Sequence, residues 1–143
     1  MATEQFSGPI DFVVFAFDAG ADVGPGLQAV LDRVDQGLIE ILDVDVVGRD
    51  AHGAPVKLEL SALTATGVDI AAYDGAGSDI LDTEDLATVV ADLDEGQFAL
   101  AIVYEDRSLA AAAQAWTAAG GVELLIGGIA VADLEAALEQ TDA

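Results

Sequence analysis

The sequence predicts an α+β protein with a mainly antiparallel sheet, and two apolar runs carry this prediction. Phe12–Phe17 and Phe98–Tyr104 are apolar on both faces of a strand, since alternate residues of a strand point to opposite sides. Each run precedes a segment of helical character and a further strand. The chain therefore divides into two β-α-β halves, Pro9–Val47 and Gln97–Val131. Two such halves in one antiparallel sheet, with extra helices, predict a ferredoxin-like sandwich.

The elements of the first half are predicted from turn residues and apolar spacing. A strand at Ile10–Phe17 is followed by a Gly/Pro turn and a helix at Pro25–Gln36. Proline suits the first turn of a helix, and Gly37 suits its C-terminal cap. A second strand follows at Ile39–Val47. The apolar stripe of the helix has the spacing of a helix that packs on a sheet: Leu27, Val30, Leu31 and Val34.

The middle of the chain is less regular. Val56–Leu60 alternates apolar and charged residues, as a half-exposed edge strand does. Ser61–Asp79 lacks a clear period, so we expect a long covering loop with a short helix near Val68–Tyr73. Asp82, with Asp85 three residues later, predicts the capping box of a further helix.

The second half begins with the central strand Gln97–Glu105. A helix at Leu109–Ala118, capped by Asp106 or Ser108, is expected after it. A last strand at Val122–Ile129 and a last helix at Val131–Gln140 complete the prediction.

Acidic residues outnumber basic ones by 27 to 4 in this chain of 143 residues, and the formal net charge is −23. Nucleic acids and anionic membrane surfaces repel such a chain, so neither is an expected partner. Two interpretations stay open. One is halophilic adaptation, in which an acidic surface suits a cytoplasm of high salt. The other is an ordinary acidic protein from an alanine-rich proteome.

Hydrophobic residues make up 53% of the chain, and the mean hydropathy is +0.47, which predicts a single folded domain over residues 1–143. Residues 1–8 are polar and expected to be flexible. No apolar run reaches the roughly 18–20 residues of a membrane span, and Met1–Phe6 lacks the features of a secretion signal. Because cysteine is absent, disulfides and thiolate metal sites are excluded. We therefore expect a cytoplasmic protein.

One pair of carboxylates is a candidate site. Asp43 and Asp45 are two residues apart on a predicted strand, together with Ile41, and so share a face. Paired carboxylates bind divalent cations or divide acid and base roles between them. A solvated sheet face is the simpler interpretation, because the sequence offers no third ligand. We therefore assign no catalytic residue, no metal ligand and no cofactor.

Two further positions have both a functional and a structural interpretation. His52 is the only histidine and lies in a predicted turn, where we expect an exposed residue without the partners of a general base or metal ligand. Tyr104, Glu105 and Arg107 stand at the exit of the central strand, where loops often carry function. The structural alternative there is an ion pair with a helix cap.

The acidic middle segment and the glycine-rich pieces lack known ligand-binding motifs. The segment does not contain the D-x-[DN]-x-[DN]-G pattern of a calcium loop, and no glycine-rich piece matches a phosphate-binding loop. We expect a solvated acidic loop. The carboxylates are Asp69, Asp74, Asp79, Asp82, Glu84 and Asp85, and the glycine-rich pieces are Gly24-Pro25-Gly26, Gly75-Ala76-Gly77 and Gly127-Gly128.

Five short pieces, in their order and spacing, carry a resemblance. They are Gly8-Pro9-Ile10-Asp11, Gly37-Leu38-Ile39-Glu40-Ile41-Leu42-Asp43, Asp50-Ala51-His52-Gly53, Leu81-Asp82-Thr83-Glu84-Asp85-Leu86 and Ala119-Gly120-Gly121-Val122-Glu123-Leu124. With them the chain resembles a family of small actinobacterial proteins, the domain-of-unknown-function family numbered 6325. It departs where such proteins often place a tryptophan after the strand-exit glutamate, since Asp106 follows Glu105. The resemblance implies a ferredoxin-like fold and supplies no reaction.

The apolar character of both sheet faces suggests a function. A ferredoxin-like sheet carries its helices on one face, so the second face must be covered by Ser61–Asp79, by the last helix or by another subunit. We expect a non-enzymatic interaction or assembly protein that forms a homodimer through a sheet face, with another protein partner as an open alternative. A second hypothesis is a small-ligand-binding protein or enzyme of the dimeric α+β barrel type, and a third is an acidic metal buffer. The cavity of the second hypothesis would be lined by Phe12, Phe15, Phe17, Phe98 and Tyr104.

Overall fold

The computed structural model describes residues 8–77 and 80–142, so residues 1–7 of the expected flexible terminus and Asp79 of the acidic segment lie outside the described residues. The strands are β1 (Ile10–Phe17), β2 (Ile39–Arg49), β3 (Pro55–Leu58) and β4 (Phe98–Asp106). The helices are α1 (Gly24–Asp35), α2 (Thr83–Ala91), α3 (Ala110–Ala118) and α4 (Val131–Asp142). Two short 3₁₀ helices lie at Leu60–Ala62 and Ile70–Tyr73.

The four strands form one antiparallel sheet in the order β1-β4-β2-β3. In this order β4 lies between the two strands of the β1-α1-β2 unit, and β2 lies between the two strands of the β3-α2-β4 unit. Split β-α-β units of this kind are compatible with a ferredoxin-like fold. The predicted α+β class with an antiparallel sheet is confirmed. The central position of β4 explains its apolar residues, which are buried from Phe98 to Val103.

The two faces of the sheet carry different helices, and we call them the α1 face and the α2 face. The core cluster on the α1 face consists of Val23, Leu27, Val46, Tyr73, Phe98, Leu100 and Ile102. The cluster on the α2 face consists of Val47, Val90, Leu93 and Ala99. Alternate residues of β2 and β4 enter different clusters, as the two-residue period of a strand requires. The second face is therefore partly covered by α2, an arrangement that the sequence did not indicate.

The covering segment, residues 61–77, is tied to the start of α1. Asp22 accepts hydrogen bonds from the main-chain N–H of Gly24 (2.9 Å) and Thr66 (2.9 Å), and from the Thr66 hydroxyl. A Cβ on Gly24 would lie 2.1 Å from the Thr66 carbonyl oxygen, so this close approach requires glycine. The Tyr73 hydroxyl donates to the buried Leu27 carbonyl at 2.6 Å. The expected short helix of this segment is the 3₁₀ helix that ends at Tyr73.

The C-terminal region corrects two predictions. Val122–Ile129 is not a strand, because it lies exposed, and a strand exists only where a partner edge takes up its main-chain hydrogen bonds. The helix cap expected from Asp106 or Ser108 is also wrong. Leu109 is the N-cap residue of α3 and makes no side-chain cap bond, since Asp106 instead accepts from the Ser108 N–H at 2.9 Å. Within the described ranges, no helix is long and apolar enough to cross a membrane.

Candidate functional site

A β-bulge in β2 sets the direction of the candidate carboxylates. The register between β2 and β4 shifts between Ile41 and Asp43, so Leu42 is the extra residue. Ile41 consequently faces the α1 side, whereas Asp43 and Asp45 lie together on the α2 face. The prediction that the two aspartates share a face is confirmed, but the placement of Ile41 beside them is wrong.

Both carboxylates are buried. Asp43 is 0% exposed and Asp45 is 7% exposed. The end of the covering segment lies along the edge of β2 that β3 leaves free, where the Val44 N–H donates to the Ala76 carbonyl at 2.7 Å. Further along, the Ile80 N–H donates to Asp43 Oδ2 at 3.2 Å. The predicted solvated sheet face is therefore wrong, since a long-range segment covers this part of the sheet.

One lysine lies beside the pair, and one carboxylate oxygen of Asp45 is buried without a hydrogen bond among the described residues. Lys57 Nζ lies 3.4 Å from Asp45 Oδ1, and its side chain is one-third exposed. Asp45 Oδ2 is buried without a hydrogen-bond partner among the described residues. The pKa of Asp45 is raised to about 6, mainly by burial and in smaller part by the adjacent Asp43 carboxyl, while Lys57 opposes the shift. The arrangement favours a protonated Asp45 beside Asp43, because a carboxylic acid supplies the donor that two carboxylates lack.

The surroundings of the pair limit its chemistry. Within residues 8–77 and 80–142, no group of three or more His, Cys, Asp or Glu side chains could hold a metal ion. The ammonium of Lys57 lies 3.4 Å from Asp45 and competes with a cation for this carboxylate. The pair can hold a proton, and proton uptake there changes the stability of the sheet.

A groove on the α1 face lies between α1 and the edge of the sheet, with a volume of about 490 Å³. Its lining is Val13, Ala29, Val30, Arg33, Leu38, Ile39, Ile102, Tyr104, Asp106 and Ser108. The sheet separates it from the carboxyl pair on the α2 face. Of the five aromatic residues expected to line a cavity, only Tyr104 contributes. Phe17 stacks on Phe98 at a centroid distance of 5.4 Å within the core, and Phe12 lies on the α2 face.

The strand exit forms an ion pair, as its structural interpretation predicts. Arg107 Nη1 donates to Glu105 Oε1 at 2.6 Å. Glu105 is buried and also accepts from the Gly8 N–H at 3.2 Å through Oε2. The Arg107 N–H donates to the Leu38 carbonyl at 2.8 Å. These hydrogen bonds connect the end of β4 to the residues just before β1 and just before β2.

The remaining candidates have structural roles. His52 is exposed, and its main-chain N–H donates to Asp50 Oδ1 at 2.8 Å within the predicted turn. Asp82 and Asp85 form the predicted capping box of α2, with bonds of 2.9 and 3.0 Å. Asp69 caps the second 3₁₀ helix by accepting from Ala71 N–H at 3.1 Å.

Strand β1 presents apolar side chains to solvent on both of its faces. Among the described residues it pairs only with β4, so it is an edge strand. Phe12 on the α2 face is 66% exposed, and Phe15 on the α1 face is 62% exposed. We call this patch the β1 surface, formed by Ile10, Phe12, Val13, Val14 and Phe15. The sequence indicated an apolar strand but not its exposure, because edge position depends on strand order.

A second exposed apolar element follows α3. We call residues 122–129 the C-terminal segment, and its exposed apolar residues are Val122, Leu124, Leu125, Ile126 and Ile129. Leu124 and Leu125 are 90% and 91% exposed. The segment ends beside β1, since a Cβ on Gly128 would lie 3.8 Å from Asp11 Oδ1. Two exposed apolar elements, the β1 surface and the C-terminal segment, thus lie next to each other.

Comparison of the chain with protein-family models, with curated proteins and with solved structures gave no match. The resemblance to the domain-of-unknown-function family numbered 6325 stays a prediction.

Proposed function

We propose that the protein is a non-enzymatic interaction or assembly protein of the cytoplasm that forms homo-oligomers through an exposed sheet surface. The observation that carries this proposal is the β1 surface, with two phenylalanines nearly two-thirds exposed on an edge strand. Aromatic side chains contribute strongly to interfaces, because each removes a large apolar area from water. Long exposed apolar edges are avoided in monomers, since they pair with other chains.

The charge of the chain supports self-association at this surface over binding to polyanions. The net charge of −23 opposes contact with nucleic acids and anionic membranes. Asp11 is the only charged residue of β1, so two copies can meet there with little direct repulsion. Salt weakens the remaining repulsion between copies, so association should strengthen as the salt concentration rises.

Native mass spectrometry with size-exclusion chromatography tests this proposal. At about 10 μM protein we expect a dimer, and the double variant Phe12→Ser, Phe15→Ser should be monomeric because it removes both exposed aromatic side chains of the β1 surface. Leu109→Ser is the matched control, since Leu109 is 60% exposed but lies outside the sheet. A wild-type chain that remains monomeric at low and high salt would refute self-association.

A second candidate function is small-ligand binding in the groove on the α1 face. Its volume of about 490 Å³ lies within the range of small-molecule sites, and its polar residues Arg33, Asp106 and Ser108 border apolar ones. Arg33 would favour a ligand with an anionic end. A defined additional mass on the purified protein, lost in Tyr104→Ala, would support this function, whereas an unmodified mass under native conditions would count against it.

A further inference from the structure

We infer that the C-terminal segment of one copy adds as a strand to the open edge of β1 in a second copy, so that two chains exchange segments reciprocally. This inference rests on the proposed function and names the contact. Each chain carries both elements of this contact. Ile10–Phe17 is an edge strand of eight residues without an outer partner among residues 8–77 and 80–142, and residues 122–129 are an apolar segment of comparable length that pairs with no strand there.

The two elements suit each other in pattern. The open edge of β1 has apolar side chains on both faces, so its partner strand must also be apolar on both faces. In an extended C-terminal segment, Val122, Leu124 and Ile126 would lie on one face and Leu125 on the other. Strand addition would also satisfy main-chain groups along the outer edge of β1.

Three observations favour a second copy of this chain as the occupant. First, each chain supplies one acceptor edge and one donor segment, so a two-fold pair leaves neither element uncovered. Second, the segment already reaches the start of β1, at Gly128 beside Asp11, without pairing there. A two-fold axis next to this point brings each segment onto the other edge. Third, each element carries one charge, Asp11 or Glu123, in a chain of net charge −23, so this is a place where two copies meet without strong repulsion.

The apolar area is adequate for a stable dimer. The four phenylalanines of two β1 surfaces offer on the order of 500 Å², given roughly 150–250 Å² for each aromatic side chain. Exposed aliphatic side chains of the two C-terminal segments, five in each copy, offer a comparable area. Together they offer on the order of 1,000 Å², about the minimum area of a specific interface.

A complementation experiment with two full-length variants tests the exchange. Leu125→Pro disables the donor segment, because proline lacks the main-chain N–H and disrupts strand pairing. Leu125 is 91% exposed, so we expect the substitution to leave the fold of each copy intact. Phe15→Asp disables the acceptor by adding charge to the edge strand. Each variant alone should dissociate at least about tenfold more readily than wild type. Their mixture should form a heterodimer by native mass spectrometry, since it still contains one intact donor and one intact acceptor.

The controls separate the two proposals. Leu134→Gln removes an exposed apolar residue of α4 and should leave the dimer unchanged, and circular dichroism should show that every variant keeps the wild-type fold. If Leu125→Pro forms a dimer as stable as that of wild type, or if the mixture of the two variants stays monomeric, the segment exchange is overturned. The proposal of a dimer through the sheet surface then stays in place. A monomeric wild-type chain would overturn both.

Discussion

Asp45→Asn should make the protein more stable at neutral pH and remove part of the pH dependence of its stability. The pKa of Asp45 is raised from 3.8 to about 6 in the folded state, mainly by burial. The folded chain therefore binds more protons than the unfolded chain between these values. The stability that Asp45 contributes is fully present below about pH 4 and is lost as the pH rises through about 6.

The size of the effect follows from the shift. A difference of this size corresponds to about 3 kcal/mol between the two protonation states. The side chain of Lys57 is one-third exposed and stays partly hydrated beside the pair, so we expect roughly 1–2 kcal/mol. The asparagine amide can donate toward Asp43 at any pH, which replaces the proton that Asp45 must otherwise bind.

Urea unfolding of the two chains between about pH 5 and about pH 7.5, in about 1 M salt, measures this difference. Asp35→Asn is the matched control, because it removes one carboxylate from an exposed position at the end of α1. Wild type and the control should lose stability in parallel as the pH rises, whereas Asp45→Asn should lose less. Equal pH slopes for the two variants would refute a raised pKa at Asp45 as the cause.

Three further substitutions test the packing. Gly24→Ala should destabilise the protein by about 1–3 kcal/mol or more in thermal unfolding, because the added Cβ would lie 2.1 Å from a main-chain atom. Gly26→Ala is the control and should be neutral or stabilising, since a Cβ there has nothing within 4 Å. Equal effects of the two substitutions would disprove the close approach at Gly24. Tyr73→Phe should cost about 1 kcal/mol in urea unfolding, since it removes the buried hydrogen bond from the Tyr73 hydroxyl to the Leu27 carbonyl; no change would mean that this bond does not stabilise the fold. Asp82→Ala should cost about 1 kcal/mol by removal of the α2 cap, and hydrogen exchange at the first turn of α2 should rise with it.

Elements with local signals could be predicted from the sequence. Pro25 and Gly37 bound α1, with Gly37 at the positive φ of +75° that suits glycine. The Asp82–Asp85 pair forms the predicted capping box. Each of these signals acts within one turn of chain, so no knowledge of the tertiary structure is needed to interpret it.

Features that depend on distant partners could not be predicted. The burial of Asp43 and Asp45 depends on the bulge at Leu42 and on the contacts of Ala76 and Ile80 with β2. The contact of Lys57 with Asp45 depends on the hairpin register, which places Lys57 opposite Val47, two residues after Asp45 on the same face of β2. Residues 122–129 have strand-like composition, but composition cannot supply the edge that a strand must pair with.

Salt and pH act on different carboxylates of this chain, and this separates the two interpretations of its acidity. The exposed carboxylates repel one another through solvent, so salt weakens their repulsion. The destabilisation at Asp45 comes mainly from burial, which salt scarcely screens. A chain adapted to high salt should therefore gain stability and association from salt while keeping the pH dependence of the buried pair. If salt leaves stability and association unchanged, the acidic surface reflects composition alone. The β1 surface must then associate through its apolar side chains without electrostatic control.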